Sequence, residues 1–142
     1  MELIKTHQIN LQTAKDFMAT LAEGNMDKLM DFWAEDGVLE FPFHPPGASD
    51  RIEGKSNITK YFNGTEGKKK PLAFPIKDSY PMLDPKMALI EFDGNLQNLV
   101  TGQHYTNKYV VLLKFNEAGK VTLFREYFDS LKRQKYETFD ED

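Results

Sequence analysis

Glu126 stands in a sequence setting that favours acid–base chemistry. It lies in the stretch FREYFDSL, residues 124–131, two positions from Phe124 on one side and two from Phe128 on the other. Because alternate side chains of a β-strand point to opposite faces, a strand here places the acid between two aromatic rings. Desolvation raises the pKa of a carboxyl group toward neutrality, which suits a general acid or base. A structural acid that only satisfies a tyrosine hydroxyl would give the same pattern.

The hairpin that contains Glu126 predicts which face of the sheet it occupies. Two strand patterns are joined by the loop Asn116–Gly119, and glycine in the last place of such a loop is typical of a β-hairpin. With four unpaired loop residues, Tyr109 lies opposite Glu126 and Asn107 opposite Phe128. The residues of the first strand that share a face with Tyr109 carry no charge. They are Tyr105, Asn107, Tyr109, Val111, Leu113 and Phe115. Since helices cover an uncharged sheet face, Glu126 is expected to point into an aromatic pocket, where Tyr109 and Asn107 would orient a substrate or stabilise an oxyanion.

The opposite face of the same hairpin is more apolar than a wetted surface should be. Its members include Val110, Leu112, Val121, Leu123 and Tyr127. An extended apolar sheet face that no helix is left to cover predicts a homodimer through the sheet. Arg125 falls on this face, where we expect it to donate an ion pair across the interface.

Other polar residues leave two interpretations open. Glu91 and Asp93 alternate along one strand. Facing inward, one of them would pair with Glu126, and facing outward both would be solvated. His44, next to two prolines, could relay protons or be an ordinary loop histidine. The three histidines of the chain are scattered without carboxylates at ligand spacing, so we predict no metal site.

The elements that must hold these residues are helices first and strands afterwards. Apolar residues recur at helical spacing from Leu11 to Leu21 and again from Met26 to Trp33, with Gly24 between them. The hairpin is preceded by a strand over 38–43, a third helix over 56–63, an edge strand over 74–82 and a strand over 87–92. This order predicts an α+β fold, with three N-terminal helices packed in a curved antiparallel sheet. The acidic segment from about residue 133 is expected to fray.

Length and composition limit the remaining classes of protein. The 142 residues, 40% of them hydrophobic, predict one domain over 1–142. The formal charge is −4, and we interpret the only cationic cluster, residues 68–70, as a solvated loop, which argues against nucleic-acid binding. No stretch of 18 apolar residues and no signal-peptide pattern occur, so we predict no membrane span and a cytoplasmic protein. Cysteine is absent, which excludes thiolate chemistry.

Four stretches of the chain, taken in order and spacing, resemble a known superfamily. They are AEDGVLEFPFHPPG (34–47), EGKSNITKYF (53–62), GQHYTNKYVVLLKF (102–115) and GKVTLFREYFDSL (119–131). Together they are similar to the nuclear transport factor 2-like, or SnoaL-like, superfamily. The Tyr-x-Asn-x-Tyr strand followed by Arg-Glu-aromatic resembles most the PhzA/PhzB-like subgroup of phenazine biosynthesis.

This resemblance implies a cystatin-like α+β cone that binds a hydrophobic small molecule, uses no cofactor and dimerises through the sheet. It implies that Glu126 is the catalytic acid or base, and it puts Tyr61 and Thr65 where the subgroup has a histidine and a serine. Phe41 stands where ketosteroid isomerases have an aspartate base, which argues against a steroid-isomerase mechanism. The expected substrate-binding residues are Tyr109, Asn107, Tyr105, Tyr61, Phe124, Phe128, Trp33, Phe41 and His44. Of these, Trp33 and Tyr61, together with Phe62, are expected in the core, where they could also line the pocket wall.

The predicted function is binding of a carbonyl-containing hydrophobic compound, with cofactor-free isomerase, cyclase or condensation chemistry at Glu126. The alternative is a ligand-binding or protein-interaction module without chemistry, because a fold does not determine a function. A cavity of roughly a few hundred Å³ with Glu126 inside would favour the enzyme. A cavity filled by aromatic side chains would favour the module.

Overall fold

Four helices and seven strands make up the regular structure of the residues that are described. A computed structural model describes residues 2–47, 49–65 and 67–140, with the side chains of 4–47, 49–64 and 67–135. The helices are α1 (Glu2–Glu23), α2 (Met26–Met30), α3 (Lys55–Thr65) and α4 (Ser130–Asp140). The strands are β1 (Trp33–Glu40), β2 (Arg51–Glu53), β3 (Lys69–Ala73), β4 (Ile76–Pro81), β5 (Met87–Asn98), β6 (His104–Phe115) and β7 (Val121–Phe128). The Thr65 side chain, which the resemblance aligned with a serine, lies outside the described side chains.

Helix α1 packs its apolar face onto the sheet. Its fully buried apolar side chains, three and four positions apart or adjacent, are Ala14, Phe17 and Met18. The Phe17 ring lies 5.8 Å from the ring of Trp33 and 5.1 Å from that of Phe124. The helix ends before Gly24, whose φ of 74° is the left-handed conformation that favours glycine at a helix C-terminus. This packing places Phe17 of α1 against Phe124 of β7, the strand that carries Glu126.

The strands form one curved sheet in the order β2-β1-β7-β6-β5-β3, with β4 also paired to β5. The predicted α+β class is confirmed. The described strand pairs are antiparallel, as predicted, except that β1 runs parallel to β7, with Leu39 opposite Phe124. Parallel neighbours need a long connection, and α3 with the rest of the sheet lies between these two strands in the sequence. The sheet is therefore mixed rather than purely antiparallel.

The register of the β6–β7 hairpin differs from the prediction by two residues. Tyr109 lies opposite Phe128 instead of Glu126, and Val111 lies opposite Glu126. A shift of one residue would have turned Glu126 to the other face, but a shift of two preserves the face. Glu126 therefore occupies the inner face, as predicted, with different partners.

Two separate one-residue shifts produce this register. The loop has three residues rather than four, because the Asn116 N–H donates to the Lys120 carbonyl at 2.9 Å and Gly119 takes a φ of 76°. Val121 then lies opposite Phe115, and the register shifts again before the next pair. Val121, which we expected on the outer face, is completely buried in the core as a result.

Strand β1 begins earlier than the sequence predicted. Trp33, expected at the end of the second helix, is the first residue of β1, since α2 already ends at Met30. The turn expected at 35–37 lies inside β1, where the register against β7 shifts. A Cβ atom at Gly37 would come within 2.7 Å of the Trp33 ring, so glycine is needed for this close approach. The residues that resemble a turn therefore form an irregularity inside β1, instead of a turn before the strand.

Strand β5 continues through Asp93-Gly94 to Asn98, although the sequence predicted an end at that dipeptide. A Cβ atom at Gly94 would come within 2.3 Å of the Tyr109 ring, so the glycine marks a close approach to the backbone. The lysine run predicted as a loop extends into β3, which pairs with the added part of β5 and places Lys69 opposite Asn98.

The segment expected as a frayed acidic tail belongs to α4. Asp129 caps this helix, because its carboxylate accepts the N–H groups of Leu131 and Lys132 at 3.1 and 3.2 Å. The cap satisfies backbone donors that would otherwise be left open at the start of the helix. Within the described ranges, no helix has the length and apolar character needed to span a membrane.

Candidate active site

A cavity of about 200 Å³ lies between the helices and the inner face of the sheet. Its apolar wall includes Leu21, Met26, Leu39, Phe41, Phe62, Phe74, Leu96 and Phe124. Its polar side chains are those of Tyr61, Lys69, Tyr109, Glu126 and Arg133. Apolar walls with a few convergent polar groups are typical of sites that bind small molecules.

Glu126 projects from β7 into this cavity. Burial raises the pKa of Glu126 to about 7, and the positive charge of Arg133 opposes part of that rise. The carboxylate accepts no hydrogen bond from the part of the chain that the structure describes. The side chain keeps some accessible surface and lines the cavity. A carboxyl group with a pKa near 7 is divided between its acid and base forms at neutral pH, so it can both accept and release protons.

A smaller chamber of about 30 Å³ adjoins the cavity at Glu126. The residues that line both spaces are Phe41, Tyr61, Tyr109, Glu126 and Arg133. The chamber is completed by His44, Tyr105 and Phe128. A space of about 10–15 Å³ holds a water molecule when two to four polar partners surround it, so the chamber has room for water beside the carboxyl group.

Tyr109 is a second polar group of the cavity with altered chemistry. Its ring stacks on that of Phe92, with centroids 4.9 Å apart and planes inclined by 8°. Burial raises the pKa of Tyr109, and the negative charge of Glu126 and the neighbouring Tyr105 raise it further. The hydroxyl therefore stays protonated at neutral pH, and a protonated hydroxyl can donate a hydrogen bond to a ligand oxygen.

Asn107 lies on the same face as Tyr109 but does not line the cavity. It is 2% exposed, and its amide nitrogen donates to the Tyr105 hydroxyl at 2.5 Å and to the Asp129 carbonyl at 3.0 Å. Its amide oxygen accepts the N–H groups of Lys108 at 2.8 Å and of Asp129 at 3.2 Å. Both ends of the amide are engaged within the protein, so the geometry gives Asn107 a structural role beneath the site.

The structure brings most of the predicted site residues together around Glu126. Those that line the cavity or the chamber with it are Phe41, His44, Tyr61, Tyr105, Tyr109, Phe124 and Phe128. The His44 ring lies between Phe41 and Phe128, with centroid distances of 6.0 and 6.1 Å. Trp33 does not reach the cavity, because it packs in the core at 2% exposure.

Arg133 is a site residue that the sequence prediction missed. It lines both the cavity and the chamber, and its guanidinium carbon lies 5.7 Å from the centroid of the Tyr105 ring, a cation–π distance. The sequence predicts a frayed tail for this segment. A helix signal was nevertheless present, because Asp129 precedes eleven residues without glycine or proline, the span of α4.

Glu91 and Asp93 face the outside of the sheet, which decides between the two interpretations left open for them. Both line a groove on the outer face, and Asp93 forms an ion pair with Lys77 at 3.4 Å. Neither carboxylate lines the cavity with Glu126. Among the described side chains of residues 4–47, 49–64 and 67–135, no three histidine or acidic groups converge in a way that could hold a metal ion.

Residues 14–124 match the family model of the SnoaL-like domain. The chain belongs to this family. A PhzA/B-like protein of Pseudomonas aeruginosa, itself uncharacterised, is 29% identical over 112 residues, which cover 79% of this chain and 78% of the relative. A solved Bacillus subtilis structure, provisionally named an isomerase, is 27% identical, has a TM-score of 0.81 and covers 89% of this chain and 91% of the other.

The SnoaL-like fold also extends to more distant structures. An LEH-like epoxide hydrolase of M. tuberculosis is 20% identical, has a TM-score of 0.73 and covers 90% of this chain and 88% of the other. At this identity the likeness shows the fold alone. The predicted superfamily and the PhzA/B-like resemblance are confirmed by these comparisons. The reaction is not determined by them, since one fold hosts several chemistries.

Proposed function

We propose that this SnoaL-like domain binds a small hydrophobic carbonyl compound and catalyses cofactor-free proton transfer on it, as an isomerase, cyclase or condensation enzyme. The observation that carries the proposal is Glu126, whose pKa burial raises to about 7 within a cavity of about 200 Å³. An acid that served only the fold would be satisfied by hydrogen bonds, and Glu126 accepts none from the described residues.

The first step of the proposed mechanism is removal of a proton by the Glu126 carboxylate. The proton comes from the carbon next to the ligand carbonyl, and the electron pair of the broken C–H bond moves onto the carbonyl oxygen to give an enolate. The protonated Tyr109 hydroxyl donates a hydrogen bond to that oxygen and stabilises its charge. Glu126 then returns the proton to another carbon in an isomerisation. In a cyclisation or condensation, the enolate carbon attacks a second carbonyl and Glu126 protonates the new alkoxide.

The volume of the cavity limits the size of the ligand. An engineered protein cavity of about 150 Å³ admits benzene, so a cavity of about 200 Å³ has room for a single ring with small substituents. Aromatic side chains of the wall, such as Phe41, Phe62 and Phe124, favour a flat ring by offset or edge-to-face contact. We therefore propose an aromatic or polyketide-like compound of about one ring.

Exchange of ligand protons with solvent tests this function. Single-ring ketones and β-diketones that bind the domain should exchange their α-protons for deuterium in D₂O faster than they do without protein. The kcat/KM of exchange should rise with pH through a midpoint near 7, because the ionised carboxylate of Glu126 is the base. NMR of the ligand measures both binding and exchange. Compounds that bind but show no protein-dependent exchange between about pH 5 and about pH 9 would contradict the catalytic proposal.

The alternative of a module without chemistry has weaker support. It would be favoured by aromatic side chains that fill the cavity. Trp33 instead packs in the core, and about 200 Å³ of space remains with Glu126 in its wall. Binding without exchange is the result that would favour this alternative.

We also propose that the domain forms a homodimer through the outer face of the sheet. Phe43 is 56% exposed, and its ring lies 5.5 Å from that of Tyr127 in a groove that also contains Val110. A contiguous apolar patch that stays exposed on a sheet face is typical of an interaction surface, and Phe43, Tyr127 and Val110 form such a patch here. Arg125, which we expected to form an ion pair with the partner, donates instead to Glu40 of its own chain at 2.5 Å. The dimer contact in this groove would combine these apolar side chains with the charged groups beside them, Lys77, Glu91, Asp93 and Lys108. A cytoplasmic location stays a prediction.

Light scattering checks the dimer directly. The measured mass should be about twice the chain mass of 16.4 kDa. Phe43→Ser should weaken the association, because it removes the most exposed apolar group of the groove. A mass of one chain at every concentration would contradict the dimer and would leave the chemistry of the cavity unaffected.

A further inference from the structure

We propose that Arg133 is a positioning residue of the Glu126 site, and that α4, which carries it, is a functional wall of the cavity. The catalytic meaning of this inference rests on the proposed function, whereas its structural content can be tested in the protein without a ligand. Three features support the inference: the anchoring of α4 on the sheet, the position of Arg133, and the charges that face Glu126.

The start of α4 is tied to the sheet by a buried amide. Asn107 of β6 accepts the N–H of Asp129 at 3.2 Å and donates to its carbonyl at 3.0 Å. Asp129 in turn caps the helix through Leu131 and Lys132, and the Lys132 ammonium donates to the Thr106 hydroxyl of β6 at 2.8 Å. Hydrogen bonds to a buried amide are costly to break, because the freed groups would stay away from water. The first turn of α4 therefore has a defined orientation on the sheet.

Arg133 lies in this first part of α4 and borders the same two spaces as Glu126. Its guanidinium carbon is 5.7 Å from the centroid of the Tyr105 ring. The Tyr105 hydroxyl accepts the hydrogen bond of Asn107 at 2.5 Å. Asn107 thus positions both partners of the contact between Tyr105 and Arg133. It bonds directly to the Tyr105 hydroxyl, and it holds the Arg133 guanidinium indirectly, by anchoring the start of α4.

The charged and titratable groups that face Glu126 come from several elements. They are Tyr105 and Tyr109 on β6, Tyr61 on α3, Lys69 on β3, His44 after β1 and Arg133 on α4. Among the described groups, Arg133 is the one whose charge lowers the pKa of Glu126, against the raising effect of burial. A guanidinium is always charged, so its stabilisation of the carboxylate does not vary across neutral pH. Its proposed role is to keep enough of Glu126 ionised to act as a base.

Titration of Glu126 in Arg133 variants tests the proposal. Carbon-13 NMR of carboxyl-labelled glutamate follows the ionisation of Glu126, which is assigned by its absence in Glu126→Gln. The midpoint should move to higher pH in Arg133→Met and return toward the wild-type value in Arg133→Lys. Lys135→Met is the matched control, because it removes a positive charge from an exposed position of the same helix, and it should leave the midpoint in place. An unchanged midpoint in Arg133→Met, or an equal shift in the control, would overturn the proposal.

A second pair of variants tests the anchor and does not depend on Arg133→Met folding. Asp129→Ala and Asp129→Asn both remove the same charge, but asparagine still caps a helix and alanine does not. The Glu126 midpoint should therefore be higher in Asp129→Ala than in Asp129→Asn. Equal midpoints in the two variants would show that the docking of α4 does not matter to the site.

The two proposals fail in distinguishable ways. If the proposed function is wrong and the role of Arg133 is right, wild type shows no ligand exchange while the midpoints still shift. If the role of Arg133 is wrong and the function is right, Arg133→Met catalyses exchange with an unchanged pH profile. If both are right, the rising limb of kcat/KM moves to higher pH in Arg133→Met, in step with the NMR midpoint.

Discussion

Glu126→Gln should lower kcat/KM for ligand proton exchange by about 10²- to 10⁴-fold, the contribution typical of a positioned acid or base. Glutamine has nearly the same shape as glutamate but cannot accept a proton, so the cavity remains while the base is lost. Ligand affinity should change little, because the walls that contact the ligand are unaltered, and the loss should fall on kcat. NMR exchange rates at about pH 8 and calorimetric titration of the same ligand measure the two effects separately.

Glu91→Gln is the matched control for this experiment. It makes the same chemical change on the outer face of the sheet, away from the cavity. Exchange should be unaffected in this variant. Full activity in Glu126→Gln would contradict the proposed role of the acid, and an equal loss in both variants would point to a general effect on folding.

Glu126 should also make the stability of the protein depend on pH. Its pKa rises from 4.5 to about 7 on folding, so the folded state holds this proton more tightly than the unfolded state does. The stabilising contribution is therefore complete below about pH 4.5, decreases as the pH rises to about 7 and is absent above that. A pKa difference of about 2.5 corresponds to about 3 kcal/mol of the free energy of unfolding.

Denaturant unfolding of wild type and Glu126→Gln measures this contribution. Between about pH 5 and about pH 8, the free energy of unfolding of the variant should increase by about 2–3 kcal/mol relative to wild type. Comparing the two proteins at each pH cancels the groups that titrate alike in both. A difference that stays constant across this range would mean that Glu126 ionises as a solvated acid does.

The face that Glu126 occupies could be predicted although the hairpin register could not, because side chains alternate between the two faces of a strand. The hairpin register was wrong by two residues, and a change of two leaves each side chain on its face. Phe124 and Phe128 were placed correctly in the same way. Val121 was placed on the wrong face, because it lies before the second of the two one-residue shifts, where the register differs from the prediction by one residue.

The surroundings of Glu126 depend on contacts that have no local signal. Asn107 shares its face with Tyr109 and so resembled a ligand contact, yet its amide bonds to Asp129, 22 positions away. Gly94 resembled the end of a strand, whereas it makes room for the Tyr109 ring.

Helix α4 illustrates the same limit. It has 11 residues, and an isolated helix of this length is marginal in water. Its composition therefore pointed to a frayed tail. Asp129 offered a helix start, but the buried amide of Asn107 that holds the helix on the sheet was not recognisable before the fold was known, and the position of Arg133 depended on it.

The ionisation midpoint of Glu126 in the ligand-free wild type is the most direct test of its role in the cavity. Carbon-13 NMR of the labelled carboxyl group gives this midpoint without any assumption about the substrate. A value near 7 is expected for a buried carboxyl group opposed only in part by Arg133. A value near 4.5 would contradict the proposed function, because Glu126 would then be as weak a proton acceptor as an ordinary surface acid.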